Sequence, residues 1–188
     1  MVAAHRIHLT GGSGSGTSTL GQALAEALGV PHHDTDDFFW LPTDPPYQEP
    51  RPREARCALL AHRLDRRPGW VLSGSLSGWG DVFIDRFTLV VFMDLDKRAR
   101  IARLKQRERR RYGDAIDPGG AMHDAHVRFM AWAGAYDTGG PEMRSRKMHE
   151  AWLAYMHCPV LRMDGRLPTE RQVAIVLDQL AEPREARA

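Results

Sequence analysis

Apolar residues along the chain form short continuous runs that alternate with repeats of helical spacing. The run at residues 5–9 predicts a strand, and the next apolar positions recur three and four residues apart until Gly29, which predicts a helix. Residues 87–94 are apolar almost without interruption, a pattern typical of a parallel strand covered on both faces. Further strands are predicted at residues 30–34, 70–75 and 159–164.

Helical repeats fill most of the segments between these strands. They predict helices from about residue 53 to just before Pro68, and over residues 97–112, 122–136, 142–156 and 169–180. This alternation predicts a three-layer α/β domain with a parallel sheet of about five strands. We expect a single domain over residues 1–188, with a tail at residues 182–188 that frays.

Composition narrows the class of protein without naming a function. A chain of 188 residues buries enough apolar surface to fold without disulfides. Its two cysteines, Cys57 and Cys158, lie far apart and lack partners at metal-ligand spacing, which indicates free thiols in a reducing compartment. The chain has no apolar run of about 18 residues, and its N-terminus lacks the order of a signal peptide. We therefore expect a cytoplasmic protein with no membrane partner.

The glycine-rich stretch at residues 10–19 lies between the first predicted strand and the first predicted helix. A glycine-rich turn that opens a helix can direct several backbone N–H groups at one anion, and the helix dipole adds positive charge there. Two other interpretations are a plain turn between strand and helix, and a dinucleotide fingerprint in which Asp34 binds a ribose.

The spacing within this stretch favours a mononucleotide P-loop, because Gly11-x4-Gly16-x-Ser18 fits that motif. Ser18 supplies the hydroxyl that a P-loop uses on Mg²⁺, whereas Thr17 stands where the dinucleotide fingerprint requires glycine or alanine. Thr17 also stands where a P-loop has its lysine. A P-loop in this chain therefore needs another source of positive charge.

The formal net charge of +2 hides a local concentration of positive charge. Residues 97–111 include nine basic residues, against Asp96 and Glu108. At about 100° per residue, roughly a third of the helix circumference carries Arg100, Arg103, Arg107, Arg110 and Arg111. This face is either solvated, as charge runs usually are, or it reaches bound phosphates.

Several motifs together resemble one group of enzymes. They are the stretch at residues 11–19, Asp34-Thr35-Asp36, Ser73-Gly74-Ser75 after the third strand, the arginine-rich helix after Asp94, and the closing strand before Asp164-Gly165. In this order they resemble the nucleoside monophosphate kinase and shikimate kinase group of P-loop proteins. More narrowly, residues 13–20 and 34–40, Gly78-Trp79-Gly80 and residues 143–146 are similar to bacterial adenylate-kinase-like proteins described only as P-loop ATPases.

This resemblance implies that the cofactors are ATP and Mg²⁺. The residues matched to the ATP phosphates are Gly11, Gly12, Ser13, Gly14, Ser15, Gly16, Thr17, Ser18 and Thr19. The resemblance implies that Ser18 and Asp34 form the metal site. Asp34 and Asp36 also match an acidic pair of the related kinases that contacts a water ligand of Mg²⁺ and the hydroxyl group of the acceptor. Asp36 could instead be a helix N-cap. Lid arginines reach the phosphates in the related kinases, and the best positional matches are Arg107 and Arg111, with Arg103 next.

The resemblance also divides the chain into functional segments. Residues 35–68, which include a proline-rich passage, are the expected acceptor-side flap, and residues 107–157 are the expected helical lid and extension. Candidate acceptor-binding residues are Trp40, Arg51, Ser73, Gly74, Ser75, Trp79, Arg144 and Arg146. His123 and His126 have helical spacing but no further ligand nearby in sequence, so we interpret them as surface or core residues.

We therefore expect an ATP- and Mg²⁺-dependent phosphotransferase of the adenylate kinase-like class, acting on a small-molecule or nucleotide acceptor. The alternative is a regulatory or interaction protein that binds a nucleotide without efficient transfer, because Thr17 replaces the lysine. A nucleic-acid-binding role for the arginine-rich helix ranks last, since that helix face lacks interleaved aromatic residues. The sequence does not determine the acceptor or the oligomeric state.

Overall fold

The structure is a computed structural model, and it describes residues 4–181. The predicted frayed tail at residues 182–188 lies outside the described residues. The strands are β1 (Arg6–Gly11), β2 (His32–Asp34), β3 (Trp70–Ser73), β4 (Leu89–Asp94) and β5 (Val160–Asp164). The helices are α1 (Thr17–Leu28), α2 (Thr35–Phe39), α3 (Arg53–Leu64), α4 (Lys97–Tyr112), α5 (His123–Gly134), α6 (Arg146–Leu153) and α7 (Thr169–Ala181).

The strands form one five-stranded sheet in the order β2-β3-β1-β4-β5, with every pairing parallel. β1 lies at the centre, where Ile7 pairs with Val71 of β3 on one side and with Leu89 of β4 on the other. Ile7, Val71 and Val91 are fully buried, because helices cover both faces of a parallel sheet. The predicted fold class and strand number are confirmed.

Two apolar clusters fill the space between the sheet and its helices. On one face Leu60 and Leu64 of α3 pack with β-strand residues such as Leu72 and Phe92. On the other face Leu20 and Leu24 of α1 pack with Val176 of α7 and residues including Leu9 and Val91. The sheet with a helical layer on each face gives the three layers that the alternating pattern predicts.

The carboxyl ends of the parallel strands bring three segments to one edge of the sheet. β1 runs into the glycine-rich loop, β2 ends at Asp34, and β3 ends at Ser73, which pairs with Asp34 in the β2–β3 register. Ligands of open α/β sheets bind at this edge. The loop and the acidic residues, separate in sequence, therefore share one site.

Element ends differ from the sequence prediction at a few places. α6 begins at Arg146 rather than at residue 142, because the Ser145 hydroxyl accepts a hydrogen bond of 3.0 Å from the Met148 N–H and caps the helix there. A short 3₁₀ helix, Gly113–Ile116, occupies part of the predicted loop after α4. Within residues 4–181, no helix is both long and apolar enough to span a membrane.

Candidate functional site

The glycine-rich loop has the backbone that a phosphate-binding turn requires. Gly14 and Gly16 have positive φ angles of 84° and 105°, a region in which side chains are strained. A Cβ atom on Gly14 would lie 2.7 Å from the carbonyl oxygen of Arg100. The Ser15 N–H donates a 3.0 Å hydrogen bond to Gly12 O and closes the turn directly before α1.

Two hydroxyl groups of this loop have no hydrogen-bond partner among the residues that the structure describes. The hydroxyl oxygens of Thr10 and Ser15 are buried and make no hydrogen bond to residues 4–181. The first N–H groups of α1 have no acceptor within the helix, and no side chain caps Gly16. Buried donors are normally satisfied, so the loop is suited to an anion supplied by a ligand.

Asp34 accepts three hydrogen bonds, two of which connect the glycine-rich loop with β3. The Ser18 hydroxyl donates to its Oδ2 at 2.5 Å and the Ser73 hydroxyl donates to the same oxygen at 3.0 Å. Its Oδ1 accepts from the Asp36 N–H at 3.0 Å, so Asp34 rather than Asp36 is the N-cap of α2. The Asp36 carboxylate is therefore not used as a cap.

The donor set at Ser18 and Asp34 fits Mg²⁺. This ion prefers oxygen ligands and is usually held by one or two protein oxygens together with water and substrate phosphates. The Ser18 hydroxyl and the Asp34 carboxylate lie side by side at the mouth of the loop. The described part of the chain has no group of three or more His, Cys, Asp or Glu side chains placed to hold a metal.

Two arginines of α4, Arg100 and Arg103, donate hydrogen bonds to backbone carbonyls of the glycine-rich loop. Arg100 is only 1% exposed, pairs with Asp137 at 2.6 Å and donates to Ser13 O at 3.4 Å. Arg103 donates to Ser15 O at 3.3 Å and to Gly165 O at 2.9 Å. The inner part of the arginine face is thus a scaffold for the loop.

Arg107 and Arg111, one and two turns further along α4, have weaker contacts with the protein. Their guanidinium groups lie 3.7 Å and 3.9 Å from a Glu108 carboxylate oxygen, beyond hydrogen-bond distance. Arg107 lies over the Phe129 ring at 5.6 Å, and Arg111 lies over the Tyr47 ring at 4.6 Å. Their donors therefore remain available to a bound anion.

Two cavities meet at these arginines. One, of about 550 Å³, is lined by the glycine-rich loop, Asp34 and residues of α4, and we call it the nucleotide cleft. The other, of about 530 Å³, lies between residues of the flap, α4 and α5, and we call it the acceptor cleft. Four side chains line both cavities, namely Asp36, Tyr47, Arg107 and Arg111. Three of them are predicted catalytic residues.

Asp36 lies where the two clefts join, with its side chain still open to the cleft solvent. The surrounding protein and the neighbouring Asp34 carboxylate raise the pKa of Asp36, against the opposing effect of Arg144, Arg107 and Arg111. A carboxylate with a raised pKa is a stronger base than an ordinary aspartate. This position and this basicity suit proton transfer to or from a bound ligand.

The predicted acceptor-binding residues divide into two sets. Trp40 and Arg144 line the acceptor cleft, and Arg144 lies over the Trp132 ring at 5.5 Å without a hydrogen bond to the described residues. Burial lowers the pKa of Arg144, although arginine keeps its charge at neutral pH. These two side chains remain candidates for contact with an acceptor.

The remaining predicted acceptor residues hold the scaffold together and line neither cleft. Arg51 donates to Phe38 O and Trp40 O within the flap, and Trp79 is 3% exposed in the core. Arg146 pairs with Asp94 at 2.7 Å and with Asp137 at 3.1 Å.

The turn after β3 is likewise built into the fold. Ser73 donates to Asp34, and the Ser75 hydroxyl lies 3.2 Å from Nε2 of the buried His149. A Cβ atom on Gly74 would collide with the Thr35 hydroxyl. We therefore omit these three residues, together with Arg51, Trp79 and Arg146, from the acceptor site proposed below.

The sequence assigns several residues of the acceptor cleft to no site, and His126 only to the surface or core. Glu108 and His126 line this cleft, as do Tyr47, Phe129 and Trp132. Glu108 carries the one available signal, because it is an acid within a strongly basic run, and it is 5% exposed. The aromatic residues carry no signal in the sequence, because aromatic residues at these positions could equally well be packed in a hydrophobic core.

Solved structures with a similar fold include two shikimate kinases and a gluconokinase. A shikimate kinase from Bacteroides thetaiotaomicron has a TM-score of 0.56 and 18% identity, over 95% of this chain and 99% of that one. An Acinetobacter baumannii shikimate kinase in complex with shikimate has a TM-score of 0.54 and 15% identity, over 95% of this chain and 96% of that one. A gluconokinase from Sinorhizobium meliloti 1021 has a TM-score of 0.52 and 19% identity, over 95% of this chain and 94% of that one. The chain thus has the fold of the adenylate kinase-like group of P-loop kinases, and these identities carry the fold alone.

A known protein with clear sequence similarity is YqaC of Bacillus subtilis (strain 168), which is described as uncharacterized. It is 41% identical over 175 residues, covering 93% of this chain and 97% of YqaC. The chain belongs to the same family as YqaC. No protein-family model matches the chain.

Proposed function

We propose that the protein is an ATP- and Mg²⁺-dependent phosphotransferase that acts on a small hydroxyl-bearing acceptor. The observation that carries this proposal is the junction of the nucleotide cleft and the acceptor cleft at Asp36, Arg107 and Arg111. Phosphoryl transfer needs a donor site and an acceptor site in contact, with positive charge and a base where they meet. The kinase fold is consistent with this chemistry.

The glycine-rich loop would hold the ATP phosphates. Its backbone N–H groups and the unpartnered Ser15 hydroxyl supply donors, and Arg103 holds the carbonyl of Ser15 away from the anion. Ser18 and Asp34 would hold Mg²⁺, which when bound neutralises phosphate charge. Thr17 offers only a neutral hydroxyl where a lysine would supply charge.

Asp36 would act on the acceptor hydroxyl. In the proposed step this oxygen bonds to the γ-phosphorus, the bond from that phosphorus to the β–γ bridging oxygen breaks, and the hydroxyl proton passes to Asp36. The raised pKa of Asp36 favours accepting this proton. Arg107 and Arg111, which face the same point, would neutralise charge on the transferred group in place of the lysine.

A second candidate function is nucleotide-dependent regulation without efficient transfer. The observation that favours it is Thr17, because loss of one charged donor at the phosphates weakens transition-state binding by about 1.5–3 kcal/mol. This protein would bind ATP with Mg²⁺ and release little ADP. A cytoplasmic location fits either function and stays a prediction.

Calorimetry and an ADP-release assay separate the two functions. ATP with Mg²⁺ is titrated into the protein first, and ADP release is then measured with a panel of nucleosides, nucleoside monophosphates and small alcohols. Phosphotransfer predicts acceptor-stimulated release that Asp36→Asn lowers at unchanged ATP affinity. ATP binding with no stimulation by any acceptor would favour the regulatory function, and absence of ATP binding would contradict both.

Asp37→Asn is a matched control for the Asp36 variant. Asp37 is the next residue of the same short helix and is also exposed, but it lines only the nucleotide cleft. We expect acceptor-stimulated ADP release to depend on Asp36 far more than on Asp37. Equal losses in the two variants would mean that the local negative charge matters and that Asp36 is not the base.

A further inference from the structure

Aromatic rings line part of the acceptor cleft, beside charged side chains that include Arg128 and Arg144. Its six rings within the described residues are those of Phe39, Trp40, Tyr47, Tyr112, Phe129 and Trp132. They include a group in the flap, where Phe39 and Trp40 lie 4.8 Å apart and Trp40 and Tyr47 lie 6.1 Å apart. A second group is on α5, where Phe129 and Trp132 lie 6.0 Å apart. Flat apolar surfaces of this kind favour a flat, ring-shaped ligand.

An acid and an imidazole without hydrogen bonds lie in the same cleft. Glu108 is 5% exposed, and the side chains of Arg107, Arg111 and His126 lie 3.7–3.9 Å from its carboxylate oxygens. The Nδ1 atom of His126 is buried and has no hydrogen-bond partner in the described part of the chain. A buried carboxylate without hydrogen bonds is costly, so this pair is suited to donors and acceptors that a ligand brings.

We propose that the acceptor is an alcohol carrying a planar nitrogen heterocycle, of the nucleoside class. The ring would lie against the aromatic walls, and one edge would meet Glu108 and His126. Glu108 accepts from a ring N–H or exocyclic amino group, and the imidazole bonds to the ring nitrogen or oxygen beside it. The sugar hydroxyl would then point to Asp36, where the clefts join. This inference rests on the proposed function.

The same features disfavour an aliphatic polyhydroxy acid. Such a molecule could pair its carboxylate with one of the arginines that line the cleft, but it has no flat apolar face for the six aromatic rings. Shikimate and gluconate, named with the kinases of similar fold, belong to this class. A nucleoside instead has a large apolar face for the aromatic rings, a polar edge for Glu108 and His126, and a separate hydroxyl group for Asp36.

The experiment measures binding directly by calorimetry, on the full-length protein saturated with a non-hydrolysable ATP analogue and Mg²⁺. The probes are adenosine, guanosine, cytidine and uridine, with shikimate and D-gluconate for comparison. We expect at least one nucleoside to bind at least about tenfold more tightly than both acids. Tighter binding of shikimate or gluconate, tighter binding of the matching nucleoside monophosphate than of the nucleoside, or no nucleoside binding would each overturn the inference.

Variants locate the binding to this cleft. Glu108→Gln keeps the shape of the side chain but replaces one acceptor oxygen by a donor, so we expect nucleoside affinity to fall about tenfold. Trp132→Leu should weaken all nucleosides together, since stacking does not distinguish bases. Glu26→Gln, on an exposed position of α1 away from both clefts, should change nothing. Unchanged nucleoside affinity in both cleft variants would refute the assignment.

Binding and turnover fail independently in this design. A nucleoside that binds in a Glu108- and Trp132-dependent manner without ADP release would support the inference and contradict the proposed phosphotransfer. ADP release stimulated by shikimate or gluconate, with no nucleoside binding, would support phosphotransfer and overturn the inference. The His126→Asn variant adds a readout that lost packing would not give, namely a changed order of preference among the four nucleosides.

Discussion

Loss of the Arg107 and Arg111 side chains tests whether arginines replace the lysine that Thr17 displaces. Both line the nucleotide and acceptor clefts, and neither makes a hydrogen bond to another described side chain within 3.5 Å. Because their donors make no hydrogen bond within the described residues, we expect the loss of rate in their absence to come chiefly from lost contacts with phosphate groups. We expect Arg107→Ala and Arg111→Ala each to slow acceptor-dependent ADP release.

The expected size follows from the contacts. A hydrogen bond to a charged group contributes about 1.5–3 kcal/mol, which corresponds to roughly ten- to a hundredfold in rate for each arginine. The double variant should lose more than either single variant. Arg111 also lies 4.6 Å from the centre of the Tyr47 ring, so its removal should loosen the flap and raise the acceptor KM as well.

The assay compares kcat, acceptor KM and calorimetric ATP affinity in each variant. Lys105→Ala is the control, because Lys105 is an exposed cation on the same helix that lines neither cleft. Arg107→Lys keeps the charge but not the two-point geometry, so an intermediate rate is expected. If the double variant releases ADP as fast as the unaltered protein, arginine replacement of the lysine is refuted.

Three further predictions concern the loop and the fold. Ser18→Ala should weaken ATP binding in the presence of Mg²⁺ but not in its absence, whereas Ser18→Thr keeps the hydroxyl group and is the control. Calorimetric titrations of ATP with and without Mg²⁺ check this, and an equal loss of ATP affinity in both conditions would contradict the metal assignment. Gly14→Ala should lower the free energy of unfolding by about 1–3 kcal/mol in urea titrations, because its φ is 84° and the new Cβ would lie 2.7 Å from Arg100 O; an unchanged midpoint would be inconsistent with this strain. Burial lowers the pKa of His8 and of His149 to about 3, so between pH 6.5 and 3 the unfolded chain binds more protons and stability falls as the pH falls. The free energy of unfolding should change by on the order of 1 kcal/mol per pH unit for each histidine. Urea titrations of His149→Gln between pH 7 and pH 5 should show a weaker dependence of this free energy on pH than the unaltered protein, and an equal dependence would contradict the prediction.

The fold and the glycine-rich loop could be predicted from the sequence because both depend on patterns of residues that are close together in the chain. Continuous apolar runs, helical repeats and the Gly11-x4-Gly16-x-Ser18 spacing each depend on residues close together in the chain. The strand order also brings Asp34 beside Ser18, as the rule for the carboxyl ends of parallel strands leads one to expect. These inferences need no knowledge of distant packing.

The roles of individual polar residues were decided by the tertiary structure. Asp34 rather than Asp36 caps α2. Arg100 and Arg103 donate to loop carbonyls, whereas Arg107 and Arg111 make no such bond and lie where the two clefts meet. The helical repeat places these arginines on one face, but which of them meets a carbonyl depends on where α4 crosses the loop. A difference of one turn along the helix, about 5 Å, separates the two outcomes.

The lining of the acceptor cleft could not be predicted from the sequence. Residues of the flap, of α4 and of α5 that are far apart in sequence line one cavity, which also holds Glu108 and His126. No local pattern distinguishes an aromatic residue of a core from one that lines a cavity, since both are apolar positions on a helix or loop. The sequence by itself determined a P-loop kinase fold and the place of its glycine-rich loop, and only the packing of residues distant in sequence decided the shape of the cavity beside that loop.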